Sequence, residues 1–275
     1  MFQAAVRRIG DDLLNRSPDF QAQSDFDDLR FAQSIPRYAE FWQRFGGCPD
    51  IRGKRVIDFG SGRGGMIQGL MEAGAASAFG IELDRHYVDY ANRKVASEWD
   101  GRVQFVCGDI REIDIEPADI VVSSDVMEHV SDLEPTLRSV VHACKPGGEL
   151  YIGFGPLWHS PFGHHRLIKS RIPWAHLPRG NRAFLDQFLD REGNGPQTIR
   201  ELGFNGATPA DFRGALDDLP VTVISARRNV ATNPLKSLAM KAMLVPTIVP
   251  QLEKFFTVGI YWHLRRNNTQ HFGRK

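Results

Sequence analysis

The sequence has few cysteines, almost no net charge and no long apolar run. Its three cysteines, Cys48, Cys107 and Cys144, cannot all pair and lack metal-binding spacing, so we expect free thiols in a reducing compartment. The formal net charge of +1 gives no broad positive field that would attract nucleic acid. No stretch approaches the roughly 20 apolar residues of a transmembrane helix, and the first residues lack an apolar export segment. These absences predict a cytoplasmic protein with no nucleic-acid partner.

The chain nevertheless has enough apolar residues to bury a sizeable core. Hydrophobic residues make up 42% of its 275 positions, which allows one large domain or a domain with insertions. Short apolar segments alternate with segments of helical periodicity, and this alternation predicts an α/β protein with a parallel sheet covered on both faces. The expected strands lie at 56–58, 78–84, 103–110, 118–125, 149–154, 220–226 and 256–264.

The most informative stretch, residues 55–65, reads Arg-Val-Ile-Asp-Phe-Gly-Ser-Gly-Arg-Gly-Gly. It predicts a strand, a tight turn with glycines at positions 60, 62 and 64, and a helix that follows. The G-x-G-x-G spacing differs from the G-x-G-x-x-G of dinucleotide-binding turns and lacks the Gly-Lys-Ser/Thr of the phosphate loop. Asp58 would repel a pyrophosphate and would suit a cation such as an amino-acid ammonium. The alternative is an ordinary turn between a strand and a helix.

Carboxylates stand at the ends of the next predicted strands as well. Glu82 follows the glycine turn by about 20 residues, where an acid can accept the hydroxyls of a ribose. Asp109 ends the third strand and could accept from an exocyclic amine such as N6 of adenine, and Asp125 ends the fourth. Ligands of parallel sheets bind beyond the carboxyl ends of the strands, so these acids together are a stronger signal than any single motif.

In this order, the motifs resemble those of class I S-adenosylmethionine-dependent methyltransferases over roughly residues 56–154. Residues 124–129 match the segment beside the methyl group, and Asp-Val-Met-Glu-His-Val followed by Lys-Pro-Gly-Gly is similar to ubiquinone-type O-methyltransferases and related bacterial small-molecule methyltransferases. The resemblance implies a Rossmann-like, doubly wound sheet of seven strands with the last strand antiparallel, and S-adenosylmethionine as cofactor. The residues that it assigns to the cofactor are Asp58, Gly60, Ser61, Gly62, Gly64, Glu82, Leu83, Asp109, Ile110, Ser124 and Asp125.

We expect four parts along the chain. Residues 1–50 form a helical cap, either packed on the sheet or closed over the cofactor as a lid, and residues 51–155 form the cofactor-binding core. Residues 156–207, dense in Gly, Pro and His at their start, are too long for a plain connection and form an insertion on the acceptor side. Residues 208–275 complete the sheet. They include an apolar excursion at 234–254, which either packs on the domain or makes peripheral contact with a membrane or a lipid-linked substrate.

Methyl transfer to oxygen requires alignment of the acceptor and removal of its proton. The candidate catalytic residues are Glu128, His129, His164 and His165. If a helix follows the fourth strand, Asp125, Glu128 and His129 share one face and could bind Mg²⁺, Mn²⁺ or Zn²⁺. His164 or His165 could supply a further ligand or the base. This Asp-x-x-Glu-His pattern resembles the Glu-x-x-Glu-His metal site of some methyltransferases. The alternatives are that His129 acts as a base without metal, or that Glu128 and His129 only stabilise the structure.

The sequence therefore predicts a cytoplasmic methyltransferase that acts at oxygen on a small-molecule, lipid-linked or sugar-linked acceptor. A nicotinamide-dependent oxidoreductase is one alternative, disfavoured by the G-x-G-x-G spacing and by Asp58. A catalytically inactive cofactor-binding scaffold is another, and the intact acids argue only against lost binding. A nucleic-acid methyltransferase is disfavoured because there is no basic patch and no Asn/Asp-Pro-Pro-Tyr/Phe signature after the fourth strand.

Overall fold

The computed structural model describes residues 20–178, 180–190 and 192–268, so the part of the expected cap before residue 20 lies outside it. The strands are β1 Arg55–Phe59, β2 Ser77–Glu82, β3 Val103–Cys107, β4 Ala118–Ser124, β5 Cys144–Phe154, β6 Val221–Arg228 and β7 Ile260–Arg266. The α-helices are α1 Phe20–Phe45, α2 Gly65–Glu72, α3 Arg85–Lys94, α4 Leu133–His142, α5 Gly180–Leu185, α6 Pro209–Asp217, α7 Pro234–Ala242 and α8 Pro250–Phe256. Short 3₁₀ turns lie between several of them.

The strands form one sheet in the order β3-β2-β1-β4-β5-β7-β6. The first five strands are parallel, whereas β7 runs antiparallel to both of its neighbours, β5 and β6. The predicted seven-stranded sheet with an antiparallel last strand is thus confirmed. The strand order reverses between β1 and β4, and in open sheets of this kind the crevice beyond that reversal is where ligands bind.

The central strand β1 is buried on both faces, which explains its unbroken Val-Ile run. Val56 and Ile57 have no exposed surface. Ile57 packs in a cluster that includes Leu137 of α4 and Phe212 of α6, whereas Val56 packs in a second cluster that includes Phe41 of α1. These two apolar layers hold the carboxyl end of β1 in a fixed position, and the glycine turn begins there.

The second half of helix α1 packs on the sheet. Near its end, Phe41 and Trp42 are almost fully buried, and Trp42 meets the ring of Tyr151 edge-on at 5.0 Å. The helix then stops at Gly46 and Gly47, both with positive φ, as their position predicts. Its earlier half extends over the glycine turn.

The strand boundaries differ most from the sequence expectation at β5 and β7. The Lys-Pro-Gly-Gly turn lies inside β5, where the pairing with β4 shifts register between Ala118 and Ile120. Strand β7 begins at Ile260 rather than at residue 256, because residues 250–256 continue the excursion as α8. The start of α6 agrees with its prediction: Thr208 and Asp211 form a reciprocal capping box, and Pro209 occupies the first turn.

The segment between β5 and α6 has little regular structure but a small apolar cluster of its own. Trp158, Phe184, Leu185, Leu202 and Phe204 form that cluster. It stands beside the carboxyl edge of the sheet and walls the crevice. Within the described ranges, no helix is both long enough and apolar enough to cross a membrane.

Candidate active site

Two cavities open at the carboxyl edge of the parallel strands, and Gly60 and Arg30 lie in the walls of both. The larger, about 720 Å³, extends from Glu82 and Asp109 to His129 and the insertion. The smaller, about 310 Å³, lies between α1, the glycine turn, Asp58 and Asp125. The order of the motifs along the crevice is the order in which a nucleoside joined to an amino acid would meet them.

The glycine turn is a left-handed excursion that only glycine adopts without strain. Gly60, Gly62 and Gly64 have φ values of 79°, 51° and 88°. The N–H groups of Gly60 and Ser61 both donate to the carbonyl of Ile81, at 2.8 and 3.0 Å, which fastens the turn to β2. A Cβ on Gly60 would also overlap a methyl group of Val126. A side chain at position 60 would therefore push the turn into the crevice.

Glu82 has a structural task besides the one expected for it. Its Oε2 accepts from the backbone N–H of Gly62 at 3.0 Å, and its Oε1 accepts from the N–H groups of Leu83 and Asp84 at 2.8 and 3.1 Å. The carboxylate thus ties the glycine turn to the end of β2 while bordering the larger cavity. Its predicted role as a ribose acceptor stays a prediction.

Asp58 is buried beside a second carboxylate. Its side chain is only 2% exposed, and burial followed by the charge of Glu82 raises its pKa to about 8. A carboxyl group of this kind is protonated at neutral pH and ionises when a cation arrives. The position is suited to an ammonium group in the smaller cavity. Arg37 also lines this cavity, and no carboxylate of the described residues lies within ion-pair distance of its guanidinium.

Asp109 borders the larger cavity but is strongly engaged by a neighbour that the sequence analysis did not identify. Arg111 donates to both of its carboxylate oxygens, the shortest contact being 2.6 Å to Oδ2, and also pairs with Asp132 at 2.9 Å. Hydrogen bonds from Arg111 hold the pKa of Asp109 below its usual value. Ile110 and Val130 provide apolar walls beside it. This pocket is apolar with one fixed anion, which suits a flat base with an exocyclic amine.

The segment after β4 is not the helix that the metal prediction assumed. Asp125 has a left-handed φ of 56°, and residues 127–129 form a single 3₁₀ turn. The backbone N–H of Asp125 donates to the carbonyl of Gly153. Burial and the charge of Glu128 raise the pKa of Asp125 to about 7. Because the chain reverses here, Asp125 and Ser124 line the smaller cavity, whereas His129 lines the larger one.

The predicted metal trio of Asp125, Glu128 and His129 is wrong in its first member. One ligand atom from each of Glu128, His129 and His165 lies within 4.8 Å of the others; in the part of the chain that the structure describes, no group of three or more that includes Asp125 satisfies this criterion. The reason is the left-handed turn at Asp125, which places Asp125 in the wall of the smaller cavity and His129 in the wall of the larger one. His165 comes instead from the insertion, which crosses the cavity at that point.

Both imidazoles of this cluster have a fixed tautomer. His129 donates from Nδ1 to the carbonyl of Gly203, and His165 donates from Nε2 to the carbonyl of Pro156, both at 2.6 Å. Their other nitrogens, Nε2 and Nδ1, are therefore lone-pair atoms. Burial and the neighbouring His129 lower the pKa of His165 to about 3, so it stays neutral. An imidazole that donates to a carbonyl group through one nitrogen presents the lone pair of the other nitrogen to a proton or a cation.

His164 does not fit the catalytic role expected for it. Its side chain is 2% exposed, does not border either cavity, and packs against His176 with ring centroids 5.3 Å apart. Its Nδ1 accepts from the backbone N–H of Arg166. The turn thus places His165 in the wall of the larger cavity and buries His164 beside His176.

Helix α1 is clamped over the glycine turn. Arg63, inside the turn, donates to the buried Asp27 of α1 at 2.6 Å, and His86 at the start of α3 pairs with the same carboxylate at 2.7 Å. A Cβ on Gly69 of α2 would lie 2.5 Å from the ring of Tyr38, so that glycine lets α1 approach closely. This clamp closes the smaller cavity on one side.

Two residues that shape the site had no motif to reveal them. Asn205 donates to the carbonyls of Met127 and Val130, at 2.7 and 3.0 Å, and so fixes the 127–130 turn from 75 or more residues away in the sequence. Asp27 lies in a helix whose register on the turn depends on tertiary packing. In both cases only long-range contacts carry the information. Arg111, by contrast, follows Asp109 by two residues and could have been considered.

Comparison with known proteins finds sequence similarity to methyltransferases. A family model described as a methyltransferase domain matches residues 57–152. The ubiquinone biosynthesis O-methyltransferase of Neisseria meningitidis serogroup C is 25% identical over 181 residues, 64% of this chain and 71% of that protein. The protein of the same name from Bordetella avium is 28% identical over 203 residues, 72% of this chain and 79% of that one.

Solved structures agree on the fold. An S-adenosylmethionine-dependent methyltransferase from Mesorhizobium loti is 19% identical with a TM-score of 0.53, covering 82% of this chain and 96% of its own. Geranyl diphosphate C-methyltransferase from Streptomyces coelicolor is 14% identical with a TM-score of 0.52, covering 86% and 78%. These similar proteins include both O- and C-methyltransferases, so the fold does not determine which atom is methylated. The motifs, the strand order and these relatives together make the chain similar to the class I S-adenosylmethionine-dependent methyltransferases.

Proposed function

We propose that the protein transfers a methyl group from S-adenosylmethionine to an oxygen atom of a small-molecule, sugar-linked or lipid-linked acceptor. One observation carries the proposal: the smaller cavity with its buried acid, Asp58, meets the larger cavity, whose wall holds the lone-pair nitrogens of His129 and His165. A cationic donor on one side and a proton acceptor on the other are what methylation of a hydroxyl requires.

The cofactor's methionyl end fits the smaller cavity and its nucleoside fits the larger one. S-adenosylmethionine supplies a methyl group activated by a sulfonium. Asp58 would accept from the α-ammonium and Arg37 would hold the α-carboxylate, which are charge-assisted contacts. Glu82 would accept from the ribose hydroxyls, and Asp109 from the adenine amine. Gly60, Ser61, Gly62 and Gly64 shape the turn, Leu83 and Ile110 flank the base, and Ser124 and Asp125 close the methionyl side.

His129 is the proposed base for the acceptor hydroxyl. Its Nδ1–H is occupied by Gly203, which leaves Nε2 as the acceptor, and its ring borders the larger cavity. Glu128 is buried beneath it and accepts from the N–H of Gly155, which anchors the turn to the end of β5. Glu128 is therefore proposed to position His129 and not to meet the acceptor itself.

The Glu128, His129 and His165 cluster also fits a divalent cation. It offers a carboxylate and two imidazoles, a set that suits Zn²⁺ or Mn²⁺ more than Mg²⁺. Each imidazole also donates its other ring N–H to a backbone carbonyl, as imidazoles that bind metals commonly do. A bound cation would supply Lewis acidity that lowers the pKa of an acceptor hydroxyl. Metal-binding calorimetry on the protein alone separates this version from the metal-free base, since it needs no turnover. Activity that survives thorough chelation would contradict the metal version.

The activity experiment uses the purified chain, S-adenosylmethionine and a panel of phenolic, sugar and lipid hydroxyl acceptors, with and without added Mg²⁺, Mn²⁺ or Zn²⁺. We expect His129→Gln to lower kcat about 10²–10⁴-fold, the usual contribution of a general base, with no change in cofactor affinity. His142→Gln is the matched control, because His142 is exposed and only bonds the carbonyl of Arg138. Wild-type turnover by His129→Gln would contradict the assignment.

The two alternatives give different results in the same preparation. An inactive scaffold would bind S-adenosylhomocysteine but methylate no acceptor of the panel. A nicotinamide-dependent oxidoreductase would bind NADH in the crevice, which the G-x-G-x-G spacing of the glycine turn disfavours. The cytoplasmic location expected from the sequence and the absence of a nucleic-acid partner stay predictions.

We further propose that the 234–254 excursion rests on a membrane surface that carries anionic lipids. Leu235 and Ile248 are 83% and 81% exposed, and Leu238 and Val245 are nearly as open. Lys236 and Lys241 lie among these apolar side chains. The acid Glu253 is neutralised by Arg213 and Arg228. Exposed apolar side chains interleaved with lysines favour an interfacial helix on an anionic bilayer.

Vesicle flotation tests this contact. We expect binding to phosphatidylglycerol vesicles, weaker binding to phosphatidylcholine vesicles, and loss of both with Leu235→Ser combined with Ile248→Ser. Val223→Thr, which changes an exposed apolar side chain on β6, is the control and should bind as wild type does. Equal flotation of the double variant and the wild type would refute the proposal.

A further inference from the structure

The acidic side chains around the larger cavity differ from two of its basic side chains in their hydrogen-bond and ion-pair partners. Its acidic side chains all have partners: Asp109 and Asp132 pair with Arg111, and Glu82 and Asp84 accept from backbone N–H groups. On the insertion side the cavity is lined by two cations, Arg166 and Lys169. Among the residues that the structure describes, neither of these two has a carboxylate within ion-pair distance.

The backbone that carries Arg166 is held in an uncommon conformation. His165 and Arg166 are consecutive non-glycine residues with left-handed φ values of 48° and 66°. The N–H of Leu167 donates to the carbonyl of His164 at 2.9 Å, which closes the turn. Turns with two positive φ values normally use Asn or Gly. Such strain is typical of positions where side-chain direction matters, and here both side chains border the same cavity.

The two cations are separate from the contacts that the cofactor needs. The methionyl end of the cofactor fits the smaller cavity, which is lined by the cations Arg30 and Arg37, and neither Arg166 nor Lys169 borders that cavity. The nucleoside end meets the acids at the ends of β2 and β3. The guanidinium and the ammonium of the insertion therefore face the part of the larger cavity that is left for the acceptor, next to His129 and His165.

We propose that Arg166 and Lys169 bind an anionic group of the acceptor, a carboxylate or a phosphate, and thereby present its hydroxyl to His129. This inference rests on the proposed function, since it names the acceptor class of the same site. A neutral acceptor would cover the two cations without a partner and lose their hydration, whereas an anion replaces that hydration with charge-assisted hydrogen bonds. The planar guanidinium of Arg166 can bind either anion in a bidentate manner. The insertion thus selects acceptors that carry a negative charge.

The test compares matched probes by calorimetry on the protein saturated with S-adenosylhomocysteine. The pairs are 3,4-dihydroxybenzoate against catechol and phenyl phosphate against phenol. We expect at least one anion to bind 10-fold or more tightly than its neutral counterpart, and Arg166→Gln with Lys169→Gln to abolish that preference without changing the affinity for S-adenosylhomocysteine. Preference for the benzoate alone, for the phosphate alone or for both identifies the anion. Arg171→Gln, an exposed cation of the same insertion, is the control.

The inference is overturned if neutral and anionic probes bind equally, if no probe binds, or if the double variant keeps the preference. Its failure is distinguishable from that of the proposed function. Wild-type binding of S-adenosylhomocysteine without any anion preference refutes only the acceptor class. If S-adenosylhomocysteine itself does not bind, the proposed function fails, and the same probe pairs titrated into the free protein still decide whether Arg166 and Lys169 form an anion site.

Discussion

Replacing Asp58 with asparagine should stabilise the unliganded protein at high pH while weakening cofactor binding. The folded protein holds the pKa of Asp58 at about 8, because the group is buried beside Glu82, whereas an aspartate of the unfolded chain titrates near 4. Between these values the folded state binds the extra proton, so stability falls as pH rises from about 4 to about 8. The full gap corresponds to on the order of 5 kcal/mol at pH 8.

An asparagine carries no such pH-dependent cost, although its buried amide loses roughly 1–3 kcal/mol if it is left unsatisfied. We therefore expect Asp58→Asn to unfold at about the same temperature as wild type near pH 5 and several degrees higher near pH 8, since 1 kcal/mol moves the Tm of a protein of this size by about 2–4 °C. Thermal unfolding followed by circular dichroism across this range measures the difference. A wild-type Tm that does not fall relative to the variant would refute the assignment.

Asp119→Asn is the matched control with the opposite sign. Although burial raises its pKa, hydrogen bonds from Lys145 and the backbone of Arg55 hold the pKa of Asp119 below its ordinary value. Its stabilisation is present above pH 4 and is lost as pH falls through the depressed value. We expect Asp119→Asn to be less stable than wild type at neutral pH, with unchanged cofactor binding, so the two variants separate burial beside Glu82 from a general loss of charge.

The same acid makes a binding prediction. An ammonium at Asp58 favours the ionised carboxylate, so S-adenosylhomocysteine should displace close to one proton near pH 7. Calorimetry in two buffers with different ionisation enthalpies counts that proton. Asp58→Asn should release none and bind about 10- to 150-fold more weakly, the range of one hydrogen bond to a charged group. An unchanged proton count in the variant would mean that the proton comes from elsewhere.

Two further substitutions test the contacts that hold the glycine turn in place. Glu82→Ala should weaken S-adenosylhomocysteine at least 10-fold, because the ribose acceptor and the anchor of the glycine turn are lost together; wild-type affinity would contradict both roles. Asp27→Asn should weaken the same ligand by releasing the clamp of α1 on Arg63, whereas Asp28→Asn, whose carboxylate faces Tyr90 and Lys94 at the outer side of the helix, should not; equal effects would show that α1 only supports the sheet. Calorimetric titration measures both.

Short-range sequence patterns were enough to predict the fold and to propose the residues on the cofactor side of the site. The unbroken Val-Ile run of β1 and the glycines after it predict a buried strand and a turn because each feature depends on neighbouring residues only. The acids that end β2, β3 and β4 are informative for a similar reason, since parallel topology brings all carboxyl ends to one edge. Once the strand order is right, Glu82, Asp109 and Asp125 must approach one crevice.

The acceptor side could not be predicted in the same way. The spacing of Asp125, Glu128 and His129 brings the three side chains together only if a helix follows β4. Asp125 instead has a left-handed φ, and its carboxylate is not part of the cluster. His165 joined them from a segment with almost no regular structure, where neither periodicity nor spacing says which side chain points inward. His164, its neighbour, was indistinguishable in sequence and proved to face away. The choice is made by long-range contacts such as the one between His129 and Gly203.

The most direct measurement of the central claim is a calorimetric titration of the purified chain with S-adenosylhomocysteine, with NADH as the control ligand. The similarity to methyltransferases, the glycine turn and the acids at the strand ends predict one binding site per chain for S-adenosylhomocysteine and no binding of NADH. Binding of NADH in its place, or no binding of either ligand, would contradict the assignment of the crevice.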